Sequence, residues 1–429
     1  MISTDVIIVG GGCVGLTLAA ALGEKQINCV VIDAQPLPND LPKLPDTRVS
    51  AISAASEAIF KRLGVWPLIE SQRLQPYQGM SVCEQDSFGA IEFSAQSIHQ
   101  PRLGHIIENN VIRRALLTRL ASLNSVTVMF EQQCNSINVG EREAMVALQN
   151  GSPIIGKLIV AADGANSFVR KQFDFPLTFW DYDHTAIVAT VATELPHQSI
   201  ARQIFLPTGP LAFLPLNDAE YEAQPEAQSE SHSAPHLCSI VWSTSHEHAQ
   251  ALTAMEEREF NKALTAAFNN QLGLCNVISA RTAIPLRMRY SQDWIKPRVA
   301  LMGDAAHTIH PLAGLGMNLG LMDAAALAQT IISQLAASKD IGDVSALRSY
   351  ERWRKAEAQT VIAAMEGLKR LFTGTNPLLK FVRSVGLSAT DKLTPVKHQI
   401  IQNAMGLKGD LPDLAKPLTR LSHDNQDVH

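Results

Sequence analysis

The feature that most constrains this chain is a short apolar run followed by three spaced glycines near the amino terminus. Val6-Ile7-Ile8-Val9 leads directly into Gly10-x-Gly12-x-x-Gly15, and a second apolar run, Cys29-Val30-Val31-Ile32, ends at Asp33. A strand, a glycine turn, a helix, a second strand and an acid thus fall within about 30 residues, the length of one βαβ unit. The chain is therefore predicted to begin with a parallel-sheet, nucleotide-binding unit.

Each glycine of this turn has its own physical reason. Gly10 permits a tight turn, Gly12 lets the backbone approach a pyrophosphate, and Gly15 lets the helix pack on the strand. The amino terminus of the helix would face the phosphates with its free N–H groups. Asp33 is placed to accept hydrogen bonds from a ribose 2′-hydroxyl, and an acid there disfavours a 2′-phosphate. The pattern predicts tightly bound FAD or NAD rather than NADP.

Two later turns follow predicted strands. Asp163-Gly164 ends a strand over 154–162, although an ordinary Asp-Gly turn is the favoured interpretation of this pair when it is taken alone. Gly303-Asp304 ends a strand over 298–302, and an acid there can bind the ribityl hydroxyls of a flavin. Three such turns, in this order and at this spacing, indicate FAD.

A glycine-rich segment from Pro311 to Asn318 follows the third turn and opens a helix. Its N–H groups can face the N1–C2=O edge of a flavin, which becomes negative on reduction. The segment Gly314 to Gly320 looks like a second dinucleotide fingerprint, but His-Pro-Leu-Ala rather than a strand precedes it. With one true fingerprint, a nicotinamide donor is expected to bind only transiently.

A metal site is the alternative for this region, because His307 and His310 lie close to Asp304. Pro311 follows directly, however, and no third convincing ligand is near in sequence. A packed or flavin-adjacent histidine is favoured, and no metal is predicted. Hydrolase chemistry has no support, since the chain has no Gly-x-Ser-x-Gly elbow.

Net charge and cysteine usage indicate which partners and which cellular compartment suit the protein. The net charge of −5 argues against general nucleic-acid binding, which needs a basic surface. Six scattered cysteines without a Cys-x-x-Cys pair suit a reducing compartment. The first strand is expected to begin close to Met1, and no apolar run is expected to be long enough to span a bilayer. A cytoplasmic protein is therefore expected, peripheral on the membrane at most.

The strand and helix patterns predict a mixed α/β chain with an inserted sheet domain. A discontinuous FAD-binding domain is expected over 1–75, 100–178 and 285–340, with a helical region beginning at Arg48. A β-sheet substrate domain is expected over 76–99 and 179–284, interrupted by an acidic loop at 218–236. Helices are expected over 341–410, followed by a flexible tail over 411–429.

With these motifs placed, the chain resembles the group A flavoprotein hydroxylases, which have the p-hydroxybenzoate hydroxylase fold with a Rossmann-like FAD-binding domain. Among them it is most similar to the ubiquinone-biosynthesis hydroxylases, and within these to the VisC-like branch that acts at ring carbon C5. The stretches that carry this resemblance, beside the three turns, are Arg48-Val49-Ser50-Ala51-Ile52, Leu103-Gly104-His105-Ile106-Ile107-Glu108-Asn109, Leu177-Thr178-Phe179-Trp180-Asp181-Tyr182, Leu272-Gly273-Leu274-Cys275 and Gly374-Thr375-Asn376-Pro377.

The resemblance implies roles for particular residues. Arg48 would approach the flavin or its phosphates, and Glu108 would contact the ribityl chain. His310, Pro311 and Leu315 would lie beside the flavin, with Leu315 standing where the family usually has glutamine; no catalytic residue is assigned. The remaining implied FAD-binding residues are Gly10, Gly12, Cys13, Val14, Gly15, Asp33, Asp163, Gly164, Gly303, Asp304, Pro311, Gly314, Gly316, Met317 and Asn318.

The resemblance also implies a reaction and its partners. FAD would be reduced by NAD(P)H and would react with O₂ to a C4a-hydroperoxide that hydroxylates a polyprenylphenol. A ubiquinone-biosynthesis protein complex is an expected partner, and a homo-oligomer is left open. The alternatives are a sister hydroxylase acting at another ring position, a flavin-dependent isoprenoid reductase, and a non-catalytic flavoprotein scaffold.

Residues 369–408 carry seven basic side chains against one acidic side chain, interleaved with apolar residues. A basic amphipathic segment on an acidic protein suits an anionic membrane surface or an acidic partner. A solvated helix face packed on the core explains the same pattern equally well, so both interpretations stay open here.

Overall fold

The computed structural model describes residues 1–38, 40–217, 236–309, 315–372 and 377–417. Its strands are β1 Ile2–Val9, β2 Cys29–Ile32, β3 Val49–Ile52, β4 Gln75–Tyr77, β5 Gly79–Glu84, β6 Ala90–Ser94, β7 Gly104–Glu108, β8 Val126–Met129, β9 Cys134–Val139, β10 Ala144–Leu148, β11 Pro153–Ala161, β12 Leu177–Thr193, β13 Ile200–Leu206, β14 Gly209–Pro215, β15 His236–Ser245, β16 Cys275–Val277, β17 Thr282–Ser291, β18 Ile295–Lys296, β19 Val299–Leu301 and β20 His307–Thr308. Its α-helices are α1 Cys13–Gly23, α2 Ala54–Arg62, α3 Trp66–Glu70, α4 Asn109–Leu120, α5 Phe168–Gln172, α6 His246–Ala254, α7 Glu257–Ala267, α8 Leu315–Ala336, α9 Val344–Phe372, α10 Pro377–Lys392 and α11 Thr394–Ala404.

An eight-stranded sheet carries the nucleotide-binding unit. Its main order is β18-β19-β11-β1-β2-β8, with β1 parallel to both β11 and β2. Val6, Ile7 and Ile8 are fully buried, because both faces of this strand are covered. Helix α1 packs against α4 and α8 and follows β1 directly, as predicted.

A nine-stranded sheet forms the second layer, in the order β20-β17-β12-β15-β14-β13-β5-β6 with β16 paired to β12. Helices α6 and α7 cover part of it, and Phe268 stacks on Phe213 with 3.8 Å between ring centroids. The sheet takes its strands from both predicted segments of the substrate domain. It also takes all of Thr282–Ser291, so the predicted boundary at 284/285 cuts through a strand.

A three-stranded sheet, in the order β3-β7-β4, completes the sheets of the described residues. The prediction that a helix begins at Arg48 is wrong, because Val49–Ile52 pairs with β7 as a strand and helix α2 begins only at Ala54. The β-branched and alternating character of Val-Ser-Ala-Ile explains the strand.

Helix α8 is a core helix. Over Gly316–Ala336 it is long and apolar enough to cross a membrane by length and composition, so the expectation that no such run exists is wrong. Leu321, Ala324 and Leu327 are fully buried, however, and the helix packs against α1 and α9. Its apolar character is that of a helix enclosed on several sides.

The carboxyl-terminal region packs on the rest of the chain. Arg383 of α10 pairs with Glu84 of β5 at 2.6 Å, and both side chains are buried. Residues 411–417 were expected to be flexible, yet Ala415 is buried and Arg62 donates to the Lys416 carbonyl at 2.9 Å. The rest of the predicted tail and the acidic segment up to residue 235 lie outside the described residues.

Candidate functional site

The three predicted turns meet at one edge of the eight-stranded sheet. The Ala162 N–H donates to the Val9 carbonyl at 2.7 Å, and the Met302 N–H donates to the Ala161 carbonyl at 3.0 Å. The carboxyl ends of β1, β11 and β19 therefore lie side by side, where ligands bind in open parallel sheets.

The glycines of the first turn show why side chains are excluded there. Gly10 has a φ of +113°, and a Cβ on it would lie 2.3 Å from the Ala162 carbonyl oxygen. A Cβ on Gly15 would lie 2.1 Å from the Gly10 carbonyl oxygen. A Cβ on Gly12 would meet nothing within 4 Å, and no side chain caps α1 at this residue. The space before the helix is therefore open, and the first N–H groups of the helix face it.

Two neighbouring residues of α1 support this turn. Burial raises the pKa of the Cys13 thiol to about 12, so no thiolate competes with a phosphate for the helix amino terminus. Val14 packs against the third turn, because a Cβ on Gly303 would lie 3.3 Å from its side chain. The first and third turns are thus in direct contact.

Asp33 lies at the end of β2 as predicted, but it has a partner that the sequence did not suggest. Arg113 of α4 donates to the Asp33 carboxylate at 2.7 Å and to the Gly11 carbonyl at 3.0 Å. The second carboxylate oxygen accepts from the Gln35 N–H at 3.0 Å. Arg113 therefore fixes the orientation of the acid that was predicted to bind ribose, and it adds positive charge beside α1.

Arg113→Met is expected to weaken FAD binding by about tenfold, because it removes a charge-assisted hydrogen bond that orients Asp33. Titration of the apoprotein with FAD, followed by quenching of flavin fluorescence, measures the dissociation constant. Arg114→Met is the matched control, since Arg114 pairs with the exposed Asp40 instead. Equal losses in the two variants would contradict the positioning role of Arg113.

The second turn is held by its own aspartate. One oxygen of Asp163 accepts from the Phe168 N–H at 2.7 Å and the Val169 N–H at 3.2 Å. The other oxygen is buried and has no hydrogen-bond partner among the described residues. Burial raises the pKa of Asp163, against lowering by these hydrogen bonds and by Ser167. The unpartnered oxygen is available to a hydroxyl of a bound cofactor.

Arginines tie the second turn to the third. Arg170 is buried and donates to the carbonyls of Ala165 at 2.7 Å and Ala305 at 2.8 Å. Arg289 donates to the Ala165 carbonyl at 2.9 Å and the Asn166 side chain at 3.0 Å. No sequence motif indicates these long-range contacts.

Asp304 stands at the mouth of the site. Its side chain reaches solvent, yet protein surrounds it closely enough that burial raises its pKa, against lowering by His307, Arg289 and Arg48. Arg48 itself is exposed. The structure thus places Arg48 within electrostatic range of the third turn, as its predicted approach to the flavin requires.

A buried charge cluster lies directly behind the third turn. Asp323 of α8 accepts from Arg354 at 2.8 Å, from the Gly303 N–H at 3.0 Å and from His307 at 2.6 Å. Asp323 and Arg354 are fully buried. His307 is therefore a packed residue that supports the turn, in agreement with the interpretation favoured over a metal ligand.

A group of three side chains able to hold a metal occurs elsewhere in the described residues. It consists of Asp181, Asp183 and His246, and Arg287 already pairs with Asp181 at 3.2 Å. Arg287 neutralises the charge of Asp181, which is a structural role, and the group carries no metal assignment.

Two predicted cofactor contacts have protein partners. Asn318 accepts from the Ser53 N–H at 2.9 Å and donates to the Ala51 carbonyl at 2.7 Å, so it joins α8 to β3. Glu108 is buried and forms a two-point ion pair with Arg73 at 2.9 and 3.0 Å. Their contacts with the flavin stay predictions.

The other predicted residues divide into two groups. His310, Pro311 and Gly314 lie outside the described residues. Gly316 and Met317 lie in the first turn of α8, as predicted, and Leu315 begins that helix. Gly164 adopts a φ of +79°, as an Asp-Gly turn requires.

A cavity of about 120 Å³ lies next to this site. Its walls come from the three-stranded sheet and from one face of the nine-stranded sheet. Val49 and Ala51 of β3 form part of the wall, and the Ala51 carbonyl is the group that Asn318 binds. The lining residues are Val49, Ala51, Tyr77, Met80, Ile106, Ala201, Arg202, Gln203, Pro210, Ala212, Leu214, Val241 and Ser243. Sequence patterns did not indicate this cavity, because strands that are distant from one another in the sequence build it.

These residues fit FAD. The open cradle before α1, Asp33 beside it, the unpartnered oxygen of Asp163 and the carboxylate of Asp304 offer an anion site and several acceptors along one sheet edge. A parallel nucleotide-binding sheet, a nine-stranded second sheet and an apolar cavity between that second sheet and the three-stranded sheet form the architecture of a flavin-dependent oxidoreductase.

The chain belongs to the family described as FAD binding domain, which matches residues 3–365. It is 32% identical to the ubiquinone biosynthesis monooxygenase COQ6 of Danio rerio, over 92% of this chain and 88% of that protein. It is also 32% identical to the 3-demethoxyubiquinol 3-hydroxylase of Escherichia coli, over 94% of this chain and 99% of that protein. A third relative is the ubiquinone hydroxylase UbiL of Rhodospirillum rubrum, at 32% identity over 94% and 89%.

Solved structures agree with this fold. The p-nitrophenol 4-monooxygenase PnpA of Pseudomonas putida superposes with a TM-score of 0.76, at 18% identity, over 94% of this chain and 99% of that one. PqsL of Pseudomonas aeruginosa gives 0.73 at 21% identity, over 90% and 100%. The protein therefore has the p-hydroxybenzoate hydroxylase-like fold and is an FAD-dependent monooxygenase that uses NAD(P)H and O₂. The expected fold, enzyme class and cofactors are confirmed.

Proposed function

We propose that the protein hydroxylates the aromatic ring of a polyprenylphenol intermediate of ubiquinone biosynthesis, at ring carbon C5. The observation that carries the proposal is the apolar cavity beside β3, the strand that Asn318 of α8 binds. Its volume of about 120 Å³ is close to that of an engineered cavity of about 150 Å³ that binds benzene, so it suits one aromatic ring. The relatives named as ubiquinone-pathway hydroxylases support the substrate class.

Bound FAD supplies the activated oxygen once NAD(P)H has reduced it. The chain's own residues bind and orient the reactants. The α1 amino terminus and Arg113 provide positive charge for the pyrophosphate, while the walls of the cavity exclude water from the ring. Asn318 fixes β3 against α8, so the cavity and the flavin site keep a constant relative position. A polyprenyl chain exceeds the cavity and must extend out of it.

The ring position is tested by deleting the gene and identifying the polyprenyl intermediate that accumulates by mass spectrometry. An intermediate that lacks the C5 oxygen supports the proposal. An intermediate already oxygenated at C5 would assign the protein to the hydroxylation of another ring position. Normal ubiquinone levels would contradict a role of the protein in ubiquinone biosynthesis.

We also propose that the protein rests on the cytoplasmic membrane, on its inner face, through α10 and α11. Val385, Leu393, Val396 and Ile400 are exposed there, and the exposed Lys392 lies among them. Arg383, Ser384 and Ile401 of the same helices are buried. One face thus packs on the core, as one of the two open interpretations required, and the other face presents apolar and basic groups to solvent.

Val396→Asp combined with Ile400→Asp is expected to reduce co-sedimentation with vesicles of phosphatidylcholine and phosphatidylglycerol by about fivefold or more. The reason is that the apolar area that would enter the membrane is lost and negative charge is added. Thr394→Asp combined with Gln399→Asp is the matched control, since both residues are exposed and polar. Unchanged sedimentation of the first variant would contradict the membrane proposal.

A further inference from the structure

The cavity has polar groups on two opposing walls. Strand register places Gln203, Ala212 and Val241 on the same face of the nine-stranded sheet, because Gln203 pairs with Ala212 and Ala212 pairs with Val241. Ser243 lies two residues beyond Val241 and so shares this face. Tyr77 lines the cavity from the other side, as part of the three-stranded sheet.

These three side chains have no hydrogen-bond partner among the described residues, and their polar atoms are not sealed inside packed protein. Arg202 differs from them, because its guanidinium already donates to the carbonyls of His197 and Ile200. An apolar cavity with a few unpaired polar groups is the usual form of a site that orients a small ligand. The three side chains are called the polar trio below: Tyr77, Gln203 and Ser243.

The backbone is adapted to the tyrosine. A Cβ on Gly104 would lie 3.1 Å from the Tyr77 hydroxyl and 2.5 Å from the Ile52 carbonyl oxygen. A glycine at this position therefore lets the tyrosine ring lie across β7. Burial raises the pKa of Tyr77 to about 12, so its hydroxyl keeps its proton near neutral pH and can donate it in a hydrogen bond.

We propose that the polar trio holds the oxygen substituents of the substrate ring and thereby sets which ring carbon faces the flavin. Tyr77 donates a hydrogen bond to an oxygen substituent of the ring. The amide of Gln203 and the hydroxyl of Ser243 can donate or accept hydrogen bonds from the opposite wall. This inference rests on the proposed function and assigns to the site a specificity for oxygen-bearing rings over hydrocarbons of the same shape.

Two probe ligands that differ only in the hydroxyl group on the ring test this specificity. The FAD-loaded protein is titrated with 2-geranylphenol and with geranylbenzene, and binding is followed by the change in flavin absorbance. We expect the wild type to bind the phenol about tenfold more tightly than the hydrocarbon, since a site built for a hydroxyl discriminates against its loss.

Tyr77→Phe, Gln203→Leu and Ser243→Ala are each expected to weaken phenol binding about three- to tenfold and to leave geranylbenzene binding within about twofold. They should also increase the hydrogen peroxide released per NAD(P)H oxidised, because the ring is less well oriented. Ser239→Ala is the matched control, since Ser239 lies on the same face of β15 outside the cavity lining and should change neither quantity.

The outcomes separate this inference from the proposed function. Equal losses for both ligands, or a wild type that binds them equally, would overturn the role of the polar trio while leaving the hydroxylase proposal standing. If neither ligand binds nor stimulates NAD(P)H oxidation, the proposed function fails and this inference fails with it.

Discussion

Replacing Gly12 with alanine is expected to give a folded protein that no longer retains FAD. A Cβ there would meet no protein atom within 4 Å, and the φ of −75° suits any residue. The new methyl group would instead occupy the open space before α1, where the backbone must approach the pyrophosphate. We expect at least a hundredfold loss of FAD affinity, with little change in the stability of the apoprotein.

The ratio of flavin to protein absorbance after purification, and fluorescence titration of the apoprotein, measure this effect. Gly367→Ala is the control, because Gly367 is exposed in α9 and a Cβ there also meets nothing within 4 Å. A Gly12→Ala protein that retains FAD as the wild type does would show that the pyrophosphate does not lie before α1.

Asp323→Asn is expected to cause the largest loss of stability. The substitution leaves the fully buried Arg354 with the partly exposed Glu357 as its remaining carboxylate partner. Removal of one partner from a buried ion pair costs about 3–5 kcal/mol. Thermal unfolding of the apoprotein, followed by circular dichroism, should show a clear fall in the midpoint. Asp413→Asn is the control, since its pair with Lys416 is exposed and contributes little.

Asp323→Asn combined with Arg354→Met should recover part of the lost stability, because it also removes the buried arginine charge that has lost its buried partner. A double variant that is less stable than the single variant would show that the cost arises from packing instead. The same cluster holds the Gly303 N–H, so Asp323→Asn should also weaken FAD binding at the third turn.

The contribution of Asp323 depends on pH. Burial raises the pKa of this carboxyl, but His307 and Arg354 lower it more, so its pKa in the folded protein is below the ordinary value of 3.8. A lowered folded-state pKa stabilises the fold above the unfolded-state pKa, and this stabilisation is lost as the pH falls through the folded-state pKa. The difference in stability between wild type and Asp323→Asn should therefore stay constant at neutral pH and shrink below about pH 4.

The sequence predicted those parts of the site that depend on local backbone geometry. Gly10, Gly12 and Asp33 lie within one βαβ unit, so their spacing alone indicates a pyrophosphate cradle. The strand at Val49–Ile52 was missed, because its pairing with β7 depends on residues more than fifty positions away.

Contacts between distant elements could not be predicted in this way. Arg113 reaches Asp33 across 80 positions, and Arg354 reaches Asp323 from the next helix. The polar trio joins Tyr77 to Gln203 and Ser243 through the register of separate strands. Apart from Asp33, none of these side chains was assigned a role from a sequence motif, so only the folded chain shows their contacts.

Incorporation of oxygen tests the central claim most directly. The FAD-loaded protein is incubated with NAD(P)H, 2-geranylphenol and ¹⁸O₂, and the product is examined by mass spectrometry. The account predicts a hydroxylated ring that carries one ¹⁸O atom. NAD(P)H oxidation that yields a reduced prenyl chain, or a hydroxyl whose oxygen comes from water, would contradict it.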